Sequence, residues 1–182
     1  MPLGTPDARA FRKTVNRFPT GVTVITTTYA GRLRGLTATA FAGISAEPPL
    51  VLVCFDTAGL TLETADRFAV SVLAQHQYDV ALRFAERRRR WSAAFDGVPT
   101  WPARVTGAPV LSGAIAWFDC AVLTVLDTAG QSMVVGRVHD LGHVDGEPLL
   151  QVDGGYRGLD HPVPPPLHPN ATGNTLLSIA GL

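Results

Sequence analysis

The chain has 182 residues, with 15 basic and 15 acidic side chains and a formal net charge of zero. That length favours one domain able to bury a sizeable core, and the charge balance excludes a general nucleic-acid binder, which needs a basic footprint. Only 16% of residues are charged and 46% are hydrophobic, against a usual charged share of about 25%, so burial of apolar surface in an oligomer or under a ligand is expected.

Thr5-Pro6-Asp7 reads as a helix start, with a capping hydroxyl, a proline at the first helical position and an acid in the first turn. Phe11, Val15 and Phe18 follow at helical spacing, and Pro19 and Gly21 end the helix. The β-branched run 22–28 predicts a strand, and Ala30-Gly31-Arg32 a turn. Leu33 to Ile44 mixes small, polar and apolar residues and predicts a strand that breaks into a loop. Pro48-Pro49 favours an extended approach to Leu50–Phe55, whose unbroken apolar run predicts a strand buried on both faces. Gly59 to Asp66 predicts a short helix, Phe68–Leu73 a strand, and Tyr78–Arg90 a helix with Val80, Ala81 and Phe84 inward. Ala114–Leu126, Met133–Val138 and His143–Val152 complete an antiparallel series. Gly130 supplies one turn, and Asp145-Gly146 carries a hairpin signal.

Strands outnumber short, interposed helices, which argues against a doubly wound parallel sheet. The expected class is mainly β (α+β), a closed or partly closed antiparallel barrel with a few short helices. Residues 160–174 contain five prolines. The tail from 159 to 182 is therefore read as disordered or as an arm over a partner subunit, outside a domain spanning 1–158.

No apolar run reaches the ~18 residues of a membrane span. No apolar signal-peptide core follows Met1. A soluble, cytoplasmic protein that engages neither membrane nor nucleic acid is expected. Cys54 and Cys120 sit in apolar segments as structural thiols. Lys13 is the only lysine, which disfavours a lysine nucleophile. The Arg87–Arg90 run reads as a solvated helix end or a local phosphate contact. His76, His139, His143, His161 and His168 show no metal-ligand spacing, and the serine-hydrolase elbow, dinucleotide fingerprint and Walker A loop are missing. No catalytic residue and no metal site is assigned. Leu36–Phe41 offers hydroxyls and small side chains at a strand–loop junction, where a flat ligand can approach the backbone. A cofactor carrying its own chemistry accounts for a chain without an acid–base set.

Several segments, in order, resemble the FMN-binding split-barrel flavin reductases, the reductase components of two-component monooxygenases. They are the stretches 18–27, 35–41 with 45–53, and 68–73, then Gly136-Arg137-Val138, Pro148-Leu149-Leu150 and Tyr156-Arg157-Gly158. Ala108–Leu111 and Ala116–Cys120 are also family-like, and the resemblance covers about residues 8–158. It implies a Greek-key split barrel, a homodimer, and an NAD(P)H:flavin oxidoreductase that feeds reduced FMN or FAD to a partner monooxygenase by diffusion, with NADH or NADPH as hydride donor. It places the flavin against Thr37, Ala38, Thr39 and Ala40, with Phe55, Asp56, Thr57, Thr61 and Phe84 beside it. Tyr156 and Ser132 fall on the nicotinamide side.

Two departures stand out. The family's Gly-Asp-His, linked to nicotinamide use, is matched by Gly130-Gln131-Ser132, and Ser71 replaces a usual asparagine. The alternative reading is therefore a split-barrel flavin-binding protein that has lost nicotinamide use and performs another flavin-dependent or non-redox step on an apolar metabolite. A flavin carrier or sensor without turnover is a further alternative.

Overall fold

A computed structural model describes residues 4–56, 65–86 and 91–159. The elements are helix α1 (Ala8–Val15), strands β1 (Thr20–Gly21), β2 (Thr23–Tyr29), β3 (Arg32–Ala38), β4 (Ala40–Ala46), β5 (Pro49–Asp56) and β6 (Arg67–Val72), and helix α2 (Tyr78–Ala85). Strands β7 (Thr100–Pro102), β8 (Pro109–Leu111), β9 (Ala116–Thr128), β10 (Gln131–His143), β11 (Leu150–Val152) and β12 (Gly155–Arg157) complete the chain.

Seven strands form one antiparallel sheet in the order β3-β2-β6-β9-β10-β5-β4. Its two edges, β3 and β4, are consecutive in sequence and separated only by Thr39. One residue bridges only a few ångströms, so the sheet curls until its edges meet at that corner. No ladder joins β3 to β4 among the described residues, which leaves the barrel split along that seam. The expected mainly-β fold with few helices is thereby observed.

The concave side of the sheet is filled by Ile25, Leu36, Val53, Phe68, Val70, Cys120 and Val134, all buried. The outer side of β2 and β3 is covered by α2 and the segment after it: Ala81, Phe84 and Phe95 pack with Val22, Val24, Leu111 and Leu149. Strand β2 is thus buried on both faces, as its β-branched run allows. The Thr26 hydroxyl donates to the Pro109 carbonyl, and Thr27 donates to the Arg67 carbonyl at 2.7 Å. Asp119, buried on β9, accepts from the amides of Val105 and Thr106 at 2.9 and 3.1 Å and from the Thr106 hydroxyl. That carboxylate holds the β7–β8 connection against the sheet. Ser71 is buried and accepts from the Leu111 amide at 3.1 Å, so its role is to anchor β8.

Several expectations need correction. The helix is capped by Asp7, whose carboxylate accepts from the Arg9 and Ala10 amides at 2.8 Å, rather than by Thr5. A carboxylate there serves both the free amides and the helix dipole. Strand β5 alternates: Val51, Val53 and Phe55 are buried, while Leu50, Leu52 and Cys54 are half-exposed. Its outer apolar face opens onto a groove. Strand β10 runs unbroken to His143, and the stretch expected as one strand from 143 to 152 is a connection followed by β11 in a second, three-stranded sheet. Asp145-Gly146 forms only a bend. The hairpin turn lies at Asp153-Gly154, with φ of 51° and 75°. Ala30-Gly31 and Ala129-Gly130 share that paired left-handed geometry, the one whose twist suits a two-residue hairpin. The helix expected over 78–90 ends at Ala85. The short helix expected near 59–66 falls mostly outside the described residues, as does Arg87–Arg90.

Gly136 of β10 faces the packed barrel core. A Cβ there would overlap the Phe68 ring and stand 3.2 Å from the Cys120 Cβ, both in the barrel core. Gly136→Ala is expected to cost about 1–3 kcal/mol through overpacking, lowering Tm by about 2–10 °C. Thermal unfolding followed by circular dichroism measures this; an unchanged Tm shows that Phe68 has room to yield.

Candidate functional site

The seam between β3 and β4 opens into a cavity of about 310 Å³. Residues 36–40, Cys54, Phe55, Asp56, Phe84, Ala85, Glu86 and Gln131 line it. Its position follows from the corner: Thr39 belongs to neither ladder, and both flanking strands are sheet edges whose outward backbone groups have no strand partner among the described residues. A planar ligand with polar edges can therefore lie along the seam and use backbone donors and acceptors.

Each expected residue has a distinct orientation. The Thr37 hydroxyl donates to the Ala81 carbonyl at 2.7 Å, tying β3 to α2. The Ala38 methyl is buried in the barrel core, and its carbonyl accepts from the Thr23 hydroxyl at 2.7 Å, so Ala38 offers the cavity mainly backbone. Thr39 is half-buried and Ala40 exposed. Phe55 is buried in the barrel core and closes the inner end of the cavity. Phe84 is also buried, edge-on to Phe95 with ring centroids 4.9 Å apart. Gly35 permits this approach, because a Cβ there would sit 2.8 Å from Phe84 and 3.1 Å from Phe95. Asp56 and Glu86 bring carboxylates to the lining.

Thr57 and Thr61 lie outside the described residues. Tyr156 is not in the lining; its ring stands edge-on to Tyr78 at 5.4 Å and packs against the cluster under α2. Burial, and secondarily Tyr78, raise the Tyr156 hydroxyl above its ordinary pKa. Ser132 faces the barrel interior, buried, with its hydroxyl donating to Asp127 at 2.5 Å. Its neighbour Gln131 lines the cavity instead. Successive strand side chains point to opposite faces; Ser132 shares its face with Val134 of the barrel core, and Gln131 takes the other. Cys54 and Glu86 also line it without having been read as site residues. For Cys54, the missing signal was that a wholly apolar strand can still have one open face.

A second hollow, an apolar groove of about 620 Å³, adjoins the first. Val15, Phe18, Pro19, Ala42 and Leu52 contribute to it, and Thr39, Ala40 and Cys54 border both hollows. Above it, α1 buries none of its residues, and Phe11, Val15 and Phe18 are 63%, 51% and 72% exposed.

The residues present suit the ring system of a flavin. The seam offers a backbone edge, small side chains along 37–40 and aromatic walls at Phe55 and Phe84. The described lining contains no cation for a phosphate.

A split, curled sheet with a cavity at its seam defines a small ligand-binding split barrel, and comparison narrows the class. The domain profile described as "Flavin reductase like domain" matches residues 15–160, and the chain belongs to that family of oxidoreductases. The chain is 35% identical over 168 residues to the flavin-dependent monooxygenase reductase subunit HsaB of Mycobacterium tuberculosis, covering 89% of this chain and 88% of that one. It is 33% identical over 156 residues to the FMN reductase (NADH) SmoA of Agrobacterium fabrum, covering 84% and 87%. The crystal structure of BorF, the flavin reductase component of a bacterial two-component tryptophan halogenase, superposes with a TM-score of 0.78 at 37% identity, over 84% of this chain and 98% of that one.

Both cysteines are free, and burial raises both thiols; Cys120 is pushed up to about 12, and the Asp119 carboxylate adds to its shift. Only the thiolate attacks an alkylating agent, so a raised pKa slows labelling at any pH below it. Iodoacetamide at pH 8 is expected to leave Cys120 unmodified and to label Cys54 more slowly than a free thiol, with added FMN slowing it further. Peptide mass spectrometry with and without FMN reads this; rapid labelling of Cys120 contradicts its placement in the core.

Proposed function

We propose that this protein is an NADH-dependent flavin reductase that delivers reduced flavin to a partner monooxygenase. The observation that carries the reading is the cavity at the β3–β4 seam, in a chain whose relatives include an FMN reductase (NADH) and monooxygenase reductase subunits. When bound, the flavin supplies a two-electron acceptor for the nicotinamide's hydride. The chain's own part is position and exclusion of water.

The backbone from Thr37 to Ala40, with the Thr39 side chain, supports the ring. Phe55 and Phe84 wall it, and Asp56 stands at the end of β5 beside it. We assign Thr57 and Thr61 to the flavin as well, on the resemblance alone; the nicotinamide-side assignment of Ser132 and Tyr156 rests on the same resemblance, since neither lines the seam cavity and the Ser132 hydroxyl is bonded to Asp127. No histidine stands in the described lining, which suits chemistry that requires alignment more than proton transfer. Proximity and orientation alone contribute about 7–11 kcal/mol in well-aligned reactions. Relatives named for NADH use favour this reading over one in which the nicotinamide has been abandoned.

The working unit is a homodimer. The exposed apolar face of α1 and the groove beneath it are more apolar surface than a monomer normally leaves open. A cytoplasmic location, where NADH is available, is consistent with two free thiols. The domain ends near residue 158, and the tail beyond it is a separate segment.

NADH oxidation measured with added FMN and FAD is expected to exceed the rate with free flavin alone; equal rates remove the assignment. Analytical ultracentrifugation is expected to give twice the 19.3 kDa chain mass. Phe18→Asp, which puts a charge on the exposed face, is expected to shift the protein to monomer; wild-type protein sedimenting as monomer removes the dimer.

A further inference from the structure

Gln131 opens β10, directly opposite Asp56 of β5, immediately after the Ala129-Gly130 turn. Its backbone is held on both sides, paired with Asp56 and with Thr128 of β9. One residue further on, the Ser132 hydroxyl bonds to Asp127 across the same hairpin at 2.5 Å, which pins the strand just beyond it. The Gln131 side chain itself is exposed, lines the seam cavity and has no hydrogen-bond partner among the described residues. A carboxamide thus stands at the cavity on a backbone that cannot easily turn away, with neither its donor nor its acceptor engaged by a described residue.

The rest of the described lining is poor in such groups. Thr37 has committed its hydroxyl proton to α2, Ala38 and Ala40 offer backbone, Phe55 and Phe84 are apolar, and Asp56 and Glu86 only accept when ionised. Gln131 is the one side chain in it that carries an amide. The pyrimidine edge of a flavin is an imide, with an N–H donor between two carbonyl acceptors. A planar carboxamide matches that pattern with two hydrogen bonds, and it does so without adding a charge beside Asp56.

We propose that Gln131 is a flavin-contacting residue that reads the ring's imide edge, and that it serves flavin rather than nicotinamide. The inference rests on the seam cavity being the flavin site. It assigns to the glutamine a task separate from the nicotinamide role that family resemblance attaches to this position.

The test is equilibrium binding of FMN to the purified full chain, by quenching of flavin fluorescence, for wild type and for Gln131→Glu, Gln131→Ala and Gln131→Asn. Gln131→Glu keeps the shape, removes the donor and places a carboxylate opposite Asp56. It is expected to weaken FMN binding about tenfold or more, and to recover affinity as pH falls and the carboxylate protonates. Gln131→Ala is expected to weaken binding roughly fivefold with no such pH dependence, in line with one or two lost hydrogen bonds. Gln131→Asn retains the amide and is expected to fall between Gln131→Ala and wild type. The KM for NADH at saturating FMN is expected to stay within about twofold of wild type in all three.

Melting temperatures close to wild type establish that the variants fold; the side chain is exposed, so little stability is at stake. Unchanged FMN affinity in both Gln131→Glu and Gln131→Ala overturns the proposal. So does a raised KM for NADH with FMN affinity intact, which would put Gln131 on the nicotinamide side. A wild-type protein that binds no flavin overturns the flavin-site reading itself, and this inference with it.

Discussion

Everything about this molecule that matters for its site depends on the one-residue link at Thr39. The strands on either side of it are the two edges of a single seven-stranded sheet. A chain that must travel from one edge to the other within a single residue has only one solution: the sheet bends until the edges touch. That closure creates the barrel interior in which Phe68, Val53 and Val134 pack. It also leaves a seam whose backbone groups belong to no ladder, and the candidate flavin cavity lies along that seam. Fold and site thus follow from the same constraint.

The elements around the corner hold it in place. Thr23 binds the carbonyl of Ala38, the last residue of β3, while Thr37 binds α2. Gly35 lets the Phe84 ring close onto β3 from the outside. These contacts use threonines within strands, where the hydroxyl reaches a neighbouring carbonyl and the β-branched side chain still fits the pleat. The threonines of β2, with Thr37 of β3, therefore do two jobs. They favour strands, and they bond the sheet to what packs on it.

Much of the fold was legible in the residues. The β-branched run of β2 marked a strand of the barrel, and the ordered family-like segments marked its class; Leu33–Ile44, expected as a strand that breaks into a loop, is instead two strands, β3 and β4, joined at Thr39. What was not legible has physical reasons. The run Leu50–Phe55 is apolar throughout, so periodicity could not show that Leu52 and Cys54 face an open groove. Asp145-Gly146 and Asp153-Gly154 are identical dipeptides, yet only the second adopts left-handed geometry at both positions, because only there do two short strands pair directly across it. Asp7, not Thr5, caps the first helix because the helical hydrogen bonds begin two residues later than the proline suggested. In the candidate site, the stretch 37–40 was visible from its small residues, but the opposite orientations of Gln131 and Ser132 emerge only once strand register is known.

The wall made by Thr39, Ala40 and Cys54 has two sides, one facing the seam cavity and one facing the apolar groove. A partition this thin makes the two hollows thermodynamic neighbours. An occupant of the groove that shifts these three residues changes affinity in the cavity, and by reciprocity an occupant of the cavity then changes affinity in the groove by the same factor. If the groove's occupant is another copy of this chain, ligand affinity becomes a function of protein concentration, and a binding constant has meaning only at a stated dilution.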